Sequence, residues 1–85
     1  MYKIGVIGEK DAVLGFIALG FSVFPVENKE QAAKLLSELA EDQYAVIYVT
    51  EQTAANIRNE IDQYRESRFP AIIPIPGIQG SLGIG

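Results

Sequence analysis

Residues 44–67 read YAVIYVTEQTAANIRNEIDQYRES, and the spacing of the apolar side chains changes at Thr50. Tyr44–Thr50 is a short apolar run of β-branched and aromatic residues, which is typical of a buried strand. Beyond it the apolar residues recur at helical spacing and fall on one face: Ala54, Ile57, Ile61 and Tyr64. The stretch therefore predicts a buried strand followed directly by an amphipathic helix, capped by Thr50 or by Thr53.

Further strands are predicted on both sides of this stretch. Apolar runs of the same kind occur at Tyr2–Gly8, Phe21–Val26 and Ala71–Ile75. Pro74 and Pro76 favour an edge position for the last run, because proline lacks the N–H donor of a sheet ladder.

A second amphipathic helix is predicted over residues 28–43, with Asn28 as a suitable N-cap. One apolar stripe follows the cap: Ala32, Leu35, Leu36, Leu39 and Ala40. Alternation of strands and helices implies βαβ units, and hence a parallel sheet with right-handed crossovers. We expect a single flavodoxin-like or Rossmann-like α/β domain over residues 1–76, with a four-stranded parallel sheet of order 2-1-3-4 flanked by helices. Residues 77–85 are predicted to form a glycine-rich tail or hinge.

The connection after the first strand, DAVLGFIALG at residues 11–20, is apolar nearly all round and has Gly20 placed to end it. A surface helix normally has a polar face, so a helix without one is buried or covered. The segment is therefore either a short helix packed against its neighbours or a helix whose outer side meets a partner. For the second case the candidate contact residues are Leu14, Phe16 and Ile17.

The composition excludes several kinds of chemistry. The 85 residues include no cysteine and no histidine, which removes disulfides, thiolate nucleophiles, Ser-His-Asp triads and the common zinc sites. A formal net charge of −4 argues against nucleic acid, whose binding needs a clustered basic surface. The sequence contains no signal peptide and no apolar run near the ~20 residues that span a bilayer. We expect an intracellular, soluble, acidic domain without direct membrane insertion.

The predicted strand ends hold no recognised ligand motif. GEKDAV after the first strand is not a G-x-G-x-x-G turn, and GIQGSLGIG near the end lacks the lysine of a phosphate loop. Glu9 and Asp11 resemble the paired acids of a response-regulator receiver. The third strand nevertheless ends on Thr50 and Glu51 where a receiver needs an aspartate, and no fifth strand is predicted. We therefore expect no catalytic residues, no cofactor and no metal.

Arginines gather near the third predicted helix, where Arg58 and Arg65 share a face and Arg68 follows. Acidic residues surround them, so a solvated, ion-paired face is favoured over an anion site. Arg58 and Arg65 remain candidates for the rim of a partner interface.

Three segments resemble the F subunit of the rotary V-type and A-type ATPases and ATP synthases. They are YKIGVIGEKDAVLGFIALGF at residues 2–21, YAVIYVTEQTA at 44–54, and PAIIPIPGIQGSLGIG at 70–85. The resemblance implies a non-catalytic component of the central stalk, bound to the coiled coil of the D subunit. It also implies a cytoplasmic position, peripheral to the membrane, in a complex that couples ATP hydrolysis or synthesis to proton or sodium movement.

Members of this family usually continue into a C-terminal helix, whereas this sequence stops at Gly85. The resemblance implies contact with the catalytic ring of A and B subunits indirectly or through that helix. It also suggests that residues 80–85 form a hinge beside the stalk, with Ser81, Leu82 and Ile84 as candidate contacts. The alternatives are a stand-alone flavodoxin-like ligand-binding domain and a receiver-like adaptor without phosphorylation.

Overall fold

A computed structural model describes residues 3–77 of the chain. In chain order the elements are β1 (Lys3–Gly8), α1 (Lys10–Val13), a 3-10 helix (Leu14–Leu19), β2 (Ser22–Pro25), α2 (Lys29–Glu41), β3 (Tyr44–Thr50), α3 (Glu51–Asn56), α4 (Arg58–Asp62) and β4 (Ala71–Ile75). The four strands form one parallel sheet in the order β2-β1-β3-β4. The predicted fold class and strand order are confirmed.

The main core lies between the sheet and α2 and α3. Successive strand side chains point to opposite faces, so Ile7, Ile47 and Val49 share one face, here called the α2 face. They are fully buried and pack in one cluster with Leu36 of α2 and with Ile57. Full burial of an aliphatic side chain stabilises the fold by roughly 1.5–3 kcal/mol, so this cluster holds the two helices on the sheet.

The opposite face of the sheet carries Val6, Tyr48 and Ile73, which are side by side in the strand register. It is called the α1 face here, because α1 and the 3-10 helix pack on it. Val6 and Val13 of α1 are fully buried there. The domain is therefore covered by helices on both faces, though to very different extents.

Helix α2 begins as predicted at Asn28. The Asn28 side chain accepts a hydrogen bond from the Gln31 N–H at 2.8 Å, and the Gln31 side chain accepts one from the Glu27 N–H at 2.8 Å. This reciprocal pair satisfies two backbone donors at the helix start. These two hydrogen bonds fix the first turn of α2 relative to the end of the loop that follows β2.

Two segments differ from the prediction. The third predicted helix is broken at Ile57, whose φ of −125° and ψ of 37° separate α3 from α4. The apolar connection is an α-helical turn followed by a 3-10 helix, a form common in short connectors. Gly20 ends it as expected, with φ of 83° in the left-handed region that glycine tolerates.

An ion pair joins the start of β1 to the end of α2. Lys3 Nζ lies 2.8 Å from Asp42 Oδ2 and 5.2 Å from the centre of the Tyr44 ring. The hydrogen bond to Asp42 is the main cause of a raised pKa for Lys3, because it favours the charged ammonium. Both side chains are exposed, so the pair contributes little to stability.

Candidate partner interface

The carboxyl ends of the strands, where parallel α/β sheets bind ligands, are occupied by contacts within the protein. Thr50 ends β3 and is fully buried. Its hydroxyl donates to the Glu9 carboxylate at 2.8 Å. Thr50 is the N-cap residue of α3, as predicted, but its side chain makes no cap hydrogen bond because the hydroxyl bonds Glu9 instead. Thr53, the second predicted candidate, lies inside α3.

Little room remains beside this contact. A cavity of about 160 Å³ lies at the strand ends, and its lining includes Glu9, Glu27 and Asn28. Binding pockets for small molecules usually measure ~300–1,000 Å³. Two carboxylates against one ammonium, that of Lys29, give the lining a net negative charge that disfavours phosphate, and Asn28 is already engaged as a helix cap. Residues 3–77 contain no group of acidic, histidine or cysteine side chains arranged to hold a metal ion.

The largest exposed apolar side chains of the connection after β1 lie together on the 3-10 helix. Leu14, Ile17 and Leu19 are 43%, 57% and 63% exposed. Phe16 is half-buried, and its ring stacks on Phe21 at 6.4 Å between centroids. Leu14, Phe16, Ile17 and Leu19 are together called the apolar strip.

Residues 3–77 cover only half of the sheet beside the apolar strip. The α1 and 3-10 helices pack mainly on β1 and β2, and a single helix about 10 Å wide spans roughly two strands at ~4.8 Å spacing. Phe21 reaches β3 by stacking on Tyr48 at 5.8 Å. Ile73 of β4, beside Tyr48 in the register, is 40% exposed. The apolar surface therefore continues from the strip onto the sheet.

A groove of about 710 Å³ lies beyond the other face, between α3, α4 and the edge strand β4. Its apolar lining includes Ala54, Ile61, Tyr64, Pro70 and Ile72, and its charged lining consists of Arg58, Arg65, Arg68, Glu51 and Asp62. It is called the arginine groove here. Arg65 donates to Asp62 at 2.9 Å, and both side chains are largely exposed. The groove thus combines an apolar floor with guanidinium groups.

The structure separates the predicted contact residues into two surfaces. Leu14, Phe16 and Ile17 lie on the apolar strip, whereas Arg58 and Arg65 line the arginine groove beyond the opposite face of the sheet. Ser81, Leu82 and Ile84 lie outside the described residues. Which of these residues contact a partner remains a prediction.

Three exposed large apolar residues of the described part of the chain, Leu19, Phe69 and Ile73, were not among the predicted contacts. Leu19 sits directly before the helix-ending Gly20, and its position at the end of the apolar connection was an available signal. Ile73 gives no such signal, because it lies in a continuous apolar run, which is the pattern of a strand buried on both faces.

The protein is thus a small flavodoxin-like α/β domain. Residues 3–77 leave the apolar strip and the arginine groove exposed, whereas contacts within the protein fill the carboxyl ends of the strands. Residues 4–85 match the family model of the ATP synthase (F/14-kDa) subunit, and the chain belongs to this family. The predicted resemblance to the F subunit of V-type and A-type ATP synthases is thereby confirmed. The chain is accordingly a component of a rotary ATPase built from several different proteins.

Relatives of both types match over most of the chain. The F subunit of the V-type ATP synthase of Clostridium perfringens is 54% identical over 86 residues, covering 100% of this chain and 82% of the relative. The F subunit of the A-type ATP synthase of Methanosphaera stadtmanae is 39% identical over 80 residues, covering 92% and 76%. The crystal structure of the V-type F subunit from Archaeoglobus fulgidus aligns with a TM-score of 0.68 at 22% identity, covering 87% of this chain and 96% of that one, and supports the fold. No helix within residues 3–77 is long and apolar enough to cross a membrane.

Proposed function

We propose that the chain is a non-catalytic component of the central stalk of a V/A-type rotary ATPase. In this proposal it binds the coiled-coil D subunit and helps to couple ATP hydrolysis or synthesis to ion transport. It acts on the cytoplasmic side, peripheral to the membrane, and meets the catalytic ring of A and B subunits indirectly or through a C-terminal helix. Family membership supports the proposal, since the relatives are named as the F subunits of such complexes.

The apolar strip is the observation that carries the proposal. Leu14, Ile17 and Leu19 are exposed within one six-residue helix that contains no polar side chain. Contiguous exposed apolar surface on a soluble domain marks a site of protein interaction. A protein held inside a larger assembly accounts for such a surface, whereas a stand-alone ligand-binding domain does not need it.

The proposed contact residues are the predicted ones. They comprise Leu14, Phe16 and Ile17, then Arg58 and Arg65, and finally Ser81, Leu82 and Ile84. The division into a domain over residues 1–76 and a tail or hinge over 77–85 is part of the same proposal.

The ligand-binding alternative finds less support at the strand ends. A flavodoxin-like ligand-binding domain needs a phosphate-binding loop after β1, whereas a receiver-like adaptor without phosphorylation needs no such site and differs only in its partner. Glu9 instead accepts the hydrogen bond of Thr50, and Gly8 packs directly against the Thr50 side chain. A protein interface is therefore the function favoured by the geometry.

The test is a calorimetric titration of the chain into the D subunit of the same organism. We expect saturable one-to-one binding, because a stalk component must hold its partner through each rotation. An unrelated coiled coil of similar length and net charge serves as the control for nonspecific association. Absence of saturable heat with the folded D subunit would overturn the proposal.

A further inference from the structure

We propose that the arginine groove is the surface on which the coiled coil docks, by receiving carboxylates from the outer face of one of its helices. This inference rests on the function proposed above and deepens it. It assigns the coiled coil to one of the two uncovered surfaces, although the predicted contact residues are divided between both.

The arginines of the chain are concentrated in the arginine groove. All three arginines of the chain, Arg58, Arg65 and Arg68, line this groove together with the two acids Glu51 and Asp62. Seven basic residues less these three leave four lysines, and eleven acidic residues less these two leave nine. The groove lining therefore has a net charge of +1, while the rest of the chain has −5. An acidic protein with its arginines concentrated in one groove favours a carboxylate-bearing partner there.

The arginines are also available for a partner. Within residues 3–77, Arg58 and Arg68 form no ion pair or side-chain hydrogen bond. Arg65 bonds Asp62 three residues earlier, with 76% and 55% of the two side chains exposed. Exposed pairs of this kind contribute little, so Arg65 can exchange Asp62 for another carboxylate at small cost. Guanidinium groups bind carboxylates through two parallel hydrogen bonds, which adds specificity to the contact.

The shape of the groove favours a helix over a strand. One wall is β4, whose outer edge has no partner strand among the described residues. Pro74 lies within β4, and Pro70 and Pro76 flank it. Prolines on an edge strand remove donors that an added strand would need. A helix needs no such donors and can place apolar side chains on Ile61 and Tyr64 while its carboxylates meet the arginines.

The outer face of a coiled coil matches the groove better than it matches the apolar strip. Positions e and g of a coiled coil, which flank its apolar core, often carry glutamate and lysine. Charged side chains buried against Leu14 or Ile17 would lose hydration without gaining a partner, which is costly. In the arginine groove the same glutamates gain charge-assisted hydrogen bonds. The apolar strip is then left for a different, apolar neighbour.

The experiment compares two charge-reversed variants in titrations with the D subunit at about 0.15 M salt, where exposed charges are screened beyond roughly 8 Å. Arg58→Glu/Arg65→Glu changes the groove. Lys29→Glu/Lys34→Glu makes the same change in net charge at exposed positions of α2 that do not line it. Thermal unfolding of each variant alone verifies that both remain folded.

We expect the groove variant to bind the D subunit about tenfold or more weakly, because juxtaposed like charges are strongly unfavourable, and the α2 variant to stay within about twofold of the unchanged chain. Arg58→Lys/Arg65→Lys should fall between the two, since lysine keeps the charge but not the planar fork. If the unchanged chain binds and the groove variant binds equally well, the groove assignment is overturned while the proposed function stands. If the unchanged chain does not bind the D subunit, the proposed function is overturned, and the groove assignment, which rests on it, is overturned as well.

Discussion

Gly8, the last residue of β1, passes so close to Thr50 that a side-chain carbon would overlap the Thr50 methyl group and lie 2.7 Å from its hydroxyl oxygen. Thr50 is buried, β-branched and bonded to Glu9, so it cannot move aside cheaply. We predict that Gly8→Ala lowers the free energy of unfolding by about 1–3 kcal/mol, the usual cost of overpacking. Urea unfolding of the isolated chain measures this difference.

Gly15 provides the matched control for Gly8. It lies in the 3-10 helix, and a side-chain carbon there would meet no atom within 4 Å. Gly15→Ala should therefore leave the free energy of unfolding unchanged or slightly raised, because alanine restricts the unfolded chain. If both substitutions lowered the free energy of unfolding equally, the close approach of Gly8 to Thr50 would not be the cause of the loss at Gly8.

Local sequence rules were reliable for some residues and not for others. Asn28 caps α2 as predicted, since its side chain needs only the helix it begins. Thr50 takes the N-cap position of α3 as predicted but makes no cap hydrogen bond, because a tertiary partner, Glu9, takes its hydroxyl across 41 positions of sequence. Gln43 adopts a φ of 65° between α2 and β3, which no sequence pattern at a glutamine indicates. The hydroxyl of Thr50 thus departs from the local capping rule because a distant contact holds it.

Among the elements, α2 is the one whose burial was best predicted. Its stripe includes the neighbours Leu35 and Leu36, and the structure buries Leu36 fully but Leu35 only in part. We predict that Leu36→Ala costs about 2–5 kcal/mol of unfolding free energy, through lost burial and the cavity left behind. Leu35→Ala should cost clearly less, because solvent already reaches that side chain. Similar midpoint shifts in urea for the two variants would contradict this orientation of α2.

The break at Ile57 could not be predicted from apolar spacing. Ile57 lies on the buried stripe whether the helix is continuous or interrupted, and it is 1% exposed in the structure. Periodicity reports which side chains face the core, not whether the backbone hydrogen bonds continue between them. The break nevertheless matters for the candidate site, because α4 and the turns after it contribute all three arginines to the groove.

For the whole molecule, strand order and parallel pairing followed from the alternation of strands and helices, because crossover handedness leaves few arrangements. The unequal covering of the two faces of the sheet did not follow from this alternation. Strands in parallel sheets are apolar on both sides, so Tyr48 and Ile73 look buried in the sequence even where no helix covers them. The apolar strip was foreseen in part, since a helix without a polar face must be buried or covered.

The half-covered α1 face leads to a prediction about the isolated chain. Leu14→Ser/Ile17→Ser removes two exposed aliphatic side chains, and surface changes of this kind usually alter stability by only about 0.5 kcal/mol each. Phe16→Ala removes a ring that stacks on Phe21, which in turn stacks on Tyr48. It should lower the thermal midpoint clearly, since a lost aromatic pair costs ~0.5–1.5 kcal/mol beyond the buried area.

Binding of a hydrophobic dye and the thermal midpoint, measured on the same samples, separate these two effects. The double serine variant should bind less dye at an almost unchanged midpoint, because Leu14 and Ile17 are exposed surface and not core. Phe16→Ala should show the lower midpoint, because its ring connects the 3-10 helix to β3 through the aromatic stack. A large fall in midpoint for the serine variant would instead mean that Leu14 and Ile17 support the fold, and the apolar strip would then no longer count as a surface kept for a neighbouring protein of the assembly.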